Sequence, residues 1–117
     1  MARPTWDETW LAVAEVVAQR ATCPRASVGA VIVRDNHLIS AGYNGSVSGT
    51  SHCTDIGCLM EDGHCQRAIH AEVNAIADAA ARGVSIAGAI LYLYDTQNRL
   101  PCRECAKVIS AVGLEVR

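Results

Sequence analysis

The sequence predicts an α/β fold in which helices pack on the faces of a mixed β-sheet. Helical and strand-like segments alternate along the chain in the order α-β-β-α-β-α-β, and no repeat or low-complexity tract interrupts them. A chain of 117 residues is the size of one domain with its own core. We therefore expect a single domain over residues 1–117 with one principal site.

The first elements are a helix and a β-hairpin. Thr5 and Glu8 have the spacing of a capping box, which predicts a helix to about Arg20, with an apolar stripe of Trp6, Trp10, Val13 and Val17. The apolar runs 28–33 and 38–43 flank a turn at Asp35-Asn36 and predict the hairpin. No periodicity follows over 44–67, so something other than a core must order that segment.

The second helix should carry two polar residues at its start. Helical spacing of apolar residues begins at Ile69, and Gly83 stands where a left-handed cap would end the helix. His70 and Glu72 would then lie in its first turn. A buried strand is predicted over 89–94.

The last elements are a loop, a helix and a short strand. The loop is predicted over 95–100, and Pro101 is typical of a helix opening, because a proline in the first turn lacks an N–H that would have no partner there. The helix should run from Cys102 to about Val112, before a final strand over 114–117.

Two short motifs together indicate a catalytic zinc. His70 with Glu72 and Cys102 with Cys105 place three soft ligands and one carboxylate at the starts of two helices, and a catalytic zinc needs three protein ligands with a fourth position open. Zinc held in this way lowers the pKa of bound water to about 7, which suits attack on an amidine-like carbon. Glu72 is then the proton carrier. The combined motif is the signature of zinc deaminases of nucleobases.

Each motif alone has a simpler interpretation. A lone His-x-Glu tripeptide is usually solvated helix surface. Cys102 and Cys105 alone would equally suit a redox pair or half of a structural zinc site. The combination favours catalysis.

Composition narrows the class of partner. The net charge is -2 and the isoelectric point is near 6.0, so the chain lacks the excess of positive charge that binding to nucleic acid or to an anionic membrane requires. A small-molecule substrate is therefore favoured. The sequence has neither a secretory signal nor an apolar run long enough to span a membrane, and we expect a cytoplasmic protein. In that compartment the six cysteines fit metal ligands better than disulfides.

Four stretches resemble the deoxycytidylate (dCMP) deaminases of the cytidine deaminase-like superfamily. They are 22–31, the Gly-Tyr-Asn-Gly-Ser run 42–46, the His-Ala-Glu-x-Asn-Ala-Ile motif within 69–76, and 101–107. The resemblance implies the three-layer α-β-α fold of that superfamily, a zinc cofactor, and hydrolysis of dCMP to dUMP and ammonia.

The resemblance also implies substrate contacts. Asn44 would hydrogen-bond the sugar and the backbone near Ala71 would read the pyrimidine edge, while Arg25 is a weaker candidate for the 5′-phosphate or for a nucleotide effector. The simpler alternatives are that Asn44 only forms an Asn-Gly turn and that Arg25 is a solvated surface group.

Four cysteines remain for a second metal. Cys23, Cys53, Cys58 and Cys65 coincide with the segment that lacks a core, and a closed structural zinc would order it, as it does in several similar bacterial and phage proteins. His64 is the alternative to one of these thiolates. Free buried thiols are the simpler interpretation.

The chain departs from the family pattern at two places. Residues 93–100 are longer than the family's usual connection and lie beside the predicted pyrimidine pocket, so a zinc deaminase of another nucleoside or base is the alternative function. Relatives usually continue beyond the position of Arg117 through another helix and strand, which would leave an open sheet edge here. We expect a homo-oligomer, with dCTP or dTTP as effector by resemblance, and keep a catalytically weakened nucleotide-binding module as a third hypothesis.

Overall fold

The computed structural model describes residues 2–22, 26–46, 60–61, 64–65, 68–98 and 100–117. The helices in this part of the chain are α1 (Trp6–Ala18), α2 (Ala71–Ala81) and α3 (Arg103–Ala111). The strands are β1 (Val28–Arg34), β2 (His37–Tyr43), β3 (Gly45–Ser46), β4 (Met60–Glu61), β5 (His64–Cys65), β6 (Ala68–Ile69), β7 (Ile90–Asp95) and β8 (Glu115–Val116). None of the described helices is long and apolar enough to cross a membrane.

The main sheet is mixed, as the sequence predicts. Its strand order is β2-β1-β7-β8, with β1 antiparallel to both neighbours and β7 parallel to β8. Two small ladders stand apart from it, β3 with β6 and β4 with β5. The β3–β6 ladder matters for the site because β6 leads directly into α2.

Helices cover both faces of the sheet, so the fold has the expected three layers. On one face, α1 packs over Val31, Val33 and Tyr92. On the other face, α2 and α3 pack over Val28, Ala30, Ile32 and Leu91. Strand β1 is therefore buried on both sides, which explains why its sequence is continuously apolar instead of alternating.

The predicted local signals are confirmed at α1 and at the hairpin. Both reciprocal bonds of the capping box form, with Glu8 N–H donating to Thr5 Oγ1 at 3.1 Å and Thr5 N–H donating to Glu8 Oε1 at 3.0 Å. Asp35 and Asn36 adopt φ values of 52° and 60°, the left-handed conformation of a two-residue hairpin turn.

Helix α2 lies unusually close to β2. A Cβ atom on Gly42 would collide with the backbone of Ala71 and Ala75, so only glycine permits this approach. Ser40 adds a hydrogen bond from Oγ to the Asp78 carboxylate at 2.9 Å. These contacts fix the height of α2, and therefore of its first turn, above the sheet.

Candidate metal centre

Two of the three predicted ligands are the N-cap residues of their helices. His70 precedes α2 with φ −66° and ψ 150°, and Cys102 precedes α3 with φ −65° and ψ 166°. Neither side chain caps its own helix, so both are available to point into the space between the two helix ends. Extended backbone at an N-cap is ordinary, whereas the lack of a side-chain cap is a departure from the usual use of that position.

This geometry shifts two predicted helix starts by one position. His70 lies at the N-cap and not inside the first turn, which Glu72 does occupy. Pro101 lies one residue before the N-cap, so the prediction that it sits in the first turn of α3 is wrong. The reason is that Cys102 keeps an extended backbone, which postpones the first helical residue to Arg103.

The three ligand atoms converge. The Nδ1 atom of His70 lies 3.1 Å from Cys105 Sγ and 3.3 Å from Cys102 Sγ. All three atoms lie within 4.8 Å of one another. Around a tetrahedral zinc, Zn–N bonds of about 2.1 Å and Zn–S bonds of about 2.3 Å give N···S separations of roughly 3.5 Å. The residues therefore fit a zinc ion in both donor type and spacing.

A buried carboxylate stands next to this cluster. The side chains of Cys105 and Glu72 are both buried, and the Cys105 thiol lies within hydrogen-bonding reach of the Glu72 carboxylate. Burial, followed by the charge of Glu72, raises the pKa of the Cys105 thiol well above its usual value. A metal ion at this sulfur must displace that proton, so metal binding here releases protons.

Asn44 reaches the same region through the small β3–β6 ladder. Gly45 pairs with Ile69, and the residues just beyond this pair are Asn44 and His70. The Asn44 side chain is buried, accepts from the Val28 N–H at 2.8 Å and donates to the Ala26 carbonyl at 2.8 Å. These two bonds use half of the amide's hydrogen-bonding capacity. The predicted sugar contact stays a prediction.

Ala71 is the first residue of α2 and is completely buried. Backbone N–H groups in the first turn of a helix have no acceptor within that helix, so they are suited to meet a ligand. Its predicted contact with the pyrimidine edge also stays a prediction.

Most of the predicted second metal site lies outside the part of the chain that the structure describes. Cys23, Cys53, Cys58 and Arg25 lie outside the described residues. For His64 and Cys65 only the backbone pairing is described, in which Cys65 is opposite Met60 and His64 opposite Glu61.

Two residues that shape the site carry no chemistry and were not predicted as site residues. Gly42 lets α2 approach the sheet, and Asn74 in α2 donates from Nδ2 to the Tyr43 carbonyl at 2.8 Å. A glycine inside a strand often marks a close backbone approach, so the sequence contains a signal for the role of Gly42. The role of Asn74 depends on a tertiary contact between α2 and β2, for which the sequence contains no local signal.

The site combines a His/Cys/Cys donor set with one buried carboxylate, and two helix ends hold it beside a mixed sheet. This combination is typical of zinc-dependent hydrolases. Comparison with known families gives the particular class. Residues 4–116 match the family described as "Cytidine and deoxycytidylate deaminase zinc-binding region". The chain belongs to this family.

Three relatives show how far the similarity extends. The chain is 47% identical over 115 residues to the ComE operon protein 2 of Bacillus subtilis, covering 98% of this chain but only 59% of that protein. It is 36% identical over 131 residues to a deoxycytidylate deaminase of Mycobacterium phage D29, covering 98% of this chain and 94% of the phage enzyme. The crystal structure of the dCMP deaminase of cyanophage S-TIM5 with dCMP and dUMP superposes with a TM-score of 0.81 at 32% identity, covering 99% of this chain and 82% of that one.

Proposed function

We propose that this chain is a single zinc-dependent deaminase domain that hydrolyses dCMP to dUMP and ammonia. The observation that carries the proposal is the convergence of His70, Cys102 and Cys105 next to the buried Glu72 carboxylate. The similarity to two deoxycytidylate deaminases, one of them crystallised with dCMP and dUMP, supports the choice of substrate.

The ligand residues would hold zinc from two helix ends. The N-terminal end of a helix carries partial positive charge, which stabilises cysteine thiolates bound to a metal there and partly offsets the burial that raises the pKa of the Cys105 thiol. Zinc bound there supplies Lewis acidity and an activated water at neutral pH.

Glu72 would move the protons. Deamination forms a C–O bond at the pyrimidine carbon that carries the amino group and breaks the C–N bond to that group. The ring nitrogen and then the departing nitrogen must each gain a proton, and the water must lose its own. A carboxylate held beside the ligand cluster serves both needs, and such acid–base help contributes about 10² to 10⁴ in rate. Its burial keeps bulk water from competing for those protons.

Substrate contacts would come from the β2 end of the site. Asn44 adjoins His70 across the β3–β6 ladder, and its remaining hydrogen-bonding capacity is proposed for the sugar. The backbone of Ala71 would read the pyrimidine edge. Arg25 is proposed for the 5′-phosphate or an effector on the strength of the sequence resemblance.

A second, structural zinc is proposed from the sequence pattern. Cys23, Cys53, Cys58 and Cys65 would be its ligands, with His64 as the alternative to one thiolate. The proposal predicts two zinc ions per chain, which metal analysis of the purified protein counts directly. One ion per chain would contradict it.

The remaining parts of the proposal concern the protein's surroundings. We propose a cytoplasmic homo-oligomer with dCTP or dTTP as effector. The oligomer and the effector are inferred from the family resemblance, and the compartment is inferred from the sequence.

A steady-state assay with dCMP tests the proposed reaction. Glu72→Gln keeps the size of the side chain but removes its ability to carry protons, so we expect kcat to fall by about 10² to 10⁴ with zinc content unchanged. Glu104→Gln is the matched control, because Glu104 holds the same second position in α3, yet its side chain is 81% exposed and only meets Lys107 at 3.4 Å. It should keep kcat within about twofold.

Two results would contradict the proposal. Zinc-loaded wild-type protein that does not convert dCMP would exclude this substrate, and a parallel panel of cytidine, deoxycytidine, guanine and dCTP would then identify the alternative base or nucleoside. An unchanged kcat in Glu72→Gln would remove Glu72 from the mechanism, whereas binding of dCMP without turnover by the wild type would favour a nucleotide-binding module.

A further inference from the structure

The turn after β7 makes an unusual contact with the segment that precedes β1. In a regular antiparallel ladder, a hydrogen-bonded pair of residues exchanges two backbone N–H···O=C bonds. The β1–β7 register pairs Val28 with Asp95, so Ser27 comes opposite Thr96. Thr96 N–H donates to the Ser27 carbonyl at 3.0 Å, but Ser27 N–H donates to the side-chain Oγ1 of Thr96 at 3.1 Å. The threonine hydroxyl therefore replaces a backbone carbonyl.

The chain turns sharply at this point, which explains the replacement. Asn98 N–H donates to the Asp95 carbonyl at 2.9 Å, and Gln97 N–H donates to Asp95 Oδ1 at 2.7 Å. Asn98 has a φ of 52°, a left-handed conformation that asparagine tolerates. Thr96 is the second residue of this turn, so its own carbonyl leaves the ladder while its side chain stays.

The same segment is held from its other side by Asn44. The Asn44 amide joins the Ala26 carbonyl and the Val28 N–H, each at 2.8 Å. Residues 26–28 are therefore held by hydrogen bonds on both sides. Ser27 bonds to Thr96, and its two neighbours bond to the Asn44 amide. A shift of this segment must move the Asn44 side chain, because both of its amide atoms are bonded to it.

This arrangement joins the longer loop to the proposed substrate side of the site. Asn44 adjoins the ligand His70 across the β3–β6 ladder, and Thr96 lies in the connection that runs from β7 to the ligand Cys102. The connection predicted to be longer than in the family thus contacts, through residues 26–28, the residue proposed to meet the sugar.

We propose that Thr96 is a positioning residue for the nucleotide, acting through residues 26–28 on the Asn44 amide. The proposal rests on the proposed function, since it assumes that a nucleotide meets Asn44. Thr96 itself touches no substrate. Its hydroxyl fixes the segment that orients Asn44, and it leaves the metal ligands and Glu72 where they are. Loss of the hydroxyl should therefore weaken binding without slowing the chemical step.

A pair of substitutions isolates the hydroxyl. Thr96→Val keeps the branched shape of the side chain and removes the acceptor, whereas Thr96→Ser keeps the acceptor and removes the methyl group. We expect Thr96→Val to raise KM for dCMP about two- to fivefold, the size of one exposed hydrogen bond, with kcat and zinc content unchanged. Thr96→Ser should retain the wild-type KM.

Amide hydrogen exchange measured by NMR tests the hydrogen bond from the Ser27 N–H to the Thr96 hydroxyl in the absence of substrate. In Thr96→Val the Ser27 amide should exchange faster than in the wild type, and in Thr96→Ser it should remain protected. An unchanged KM in Thr96→Val, or an equal rise in both variants, would overturn the positioning role, since the hydroxyl would then be immaterial to binding.

A calorimetric titration with dCMP separates this proposal from the proposed reaction. If the wild type binds dCMP without converting it, the proposed reaction fails, and weaker binding by Thr96→Val than by Thr96→Ser still supports the positioning role. If the wild type neither binds nor converts dCMP, both proposals fall.

Discussion

The two faces of the sheet have different roles: the face covered by α1 stabilises the fold, and the face covered by α2 and α3 carries the proposed catalytic residues. The α1 face combines large side chains, Trp10, Leu11 and Tyr92 among them, with the buried alanines Ala14 and Ala18 of the helix. The α2 side of the opposite face is lined by alanines at 71, 75 and 79, which let the helix backbone approach the sheet. The residues proposed for the catalytic zinc and for proton transfer, His70, Glu72, Cys102 and Cys105, stand on this second face. On this second face the position of a helix end sets a chemical distance, because α2 begins at His70.

One glycine on each face allows a helix to come close. A Cβ on Gly42 would lie 2.6 Å from the Ala71 carbonyl oxygen of α2, and a Cβ on Gly29 would lie 2.7 Å from the Ala18 backbone nitrogen of α1. Alanine at either position forces a helix away from the sheet, and such overpacking costs about 1–3 kcal/mol or more of unfolding free energy. Of the substitutions considered, Gly42→Ala and Gly29→Ala should lower the unfolding free energy most, and they should differ most clearly in their effect on the site.

The two variants should differ in their chemistry. Gly42→Ala displaces the first turn of α2, so the folded protein should bind less zinc and lose kcat. Gly29→Ala displaces α1 alone and should keep the kcat of its folded fraction. Thermal unfolding, zinc content and the dCMP assay below the transition measure all three quantities. Equal loss of zinc in both variants would mean that the faces are not independent.

The sequence predicts the chemical groups of the site better than their support. Spacing and residue type identify His70, Cys102 and Cys105, because soft ligands at helix starts form a local pattern. Capping and turn signals likewise predict α1 and the β1–β2 hairpin, since both depend on contacts within a few residues.

Contacts between distant segments are what the sequence leaves out. The hydrogen bonds from Thr96 and Asn44 to residues 26–28 connect positions that are far apart in the chain, and no periodicity in the sequence predicts them. The start of α3 depends on such a contact as well. Cys102 keeps an extended backbone and its Sγ lies 3.3 Å from Nδ1 of His70, at the start of another helix, whereas Pro101 alone predicts an earlier helix start.

The α1 face offers a smaller test at Tyr92. Its ring is buried and its hydroxyl donates to Asp7 Oδ1 at 2.6 Å, which ties the start of α1 to β7. Tyr92→Phe removes one hydrogen bond to a carboxylate and should lower the Tm by about 5 °C while kcat is retained. Tyr94→Phe, on the same face of β7 but only partly buried, is the control with a smaller expected shift. A drop in kcat for Tyr92→Phe would show that the α1 face reaches the site.

The smallest expected effects come from two carboxylates, one on each face. Hydrogen bonding to Arg82 lowers the pKa of Asp78, which joins α2 to β2, and hydrogen bonds from Tyr92 and then Arg117 lower the pKa of Asp7 at the start of α1. A carboxyl whose pKa is depressed by folding stabilises the protein above its unfolded pKa, and that contribution is lost as the pH falls through the folded value. Asp78→Asn and Asp7→Asn should therefore each have a lower Tm than the wild type at pH 7. The Tm curves should converge with that of the wild type as the pH falls below about 4. Only Asp78→Asn should also shift zinc affinity at pH 7, since α2 begins at the proposed metal ligand His70 and α1 begins at no such residue. A constant Tm difference across the acid range would show that these ion pairs do not govern the pH dependence of either face.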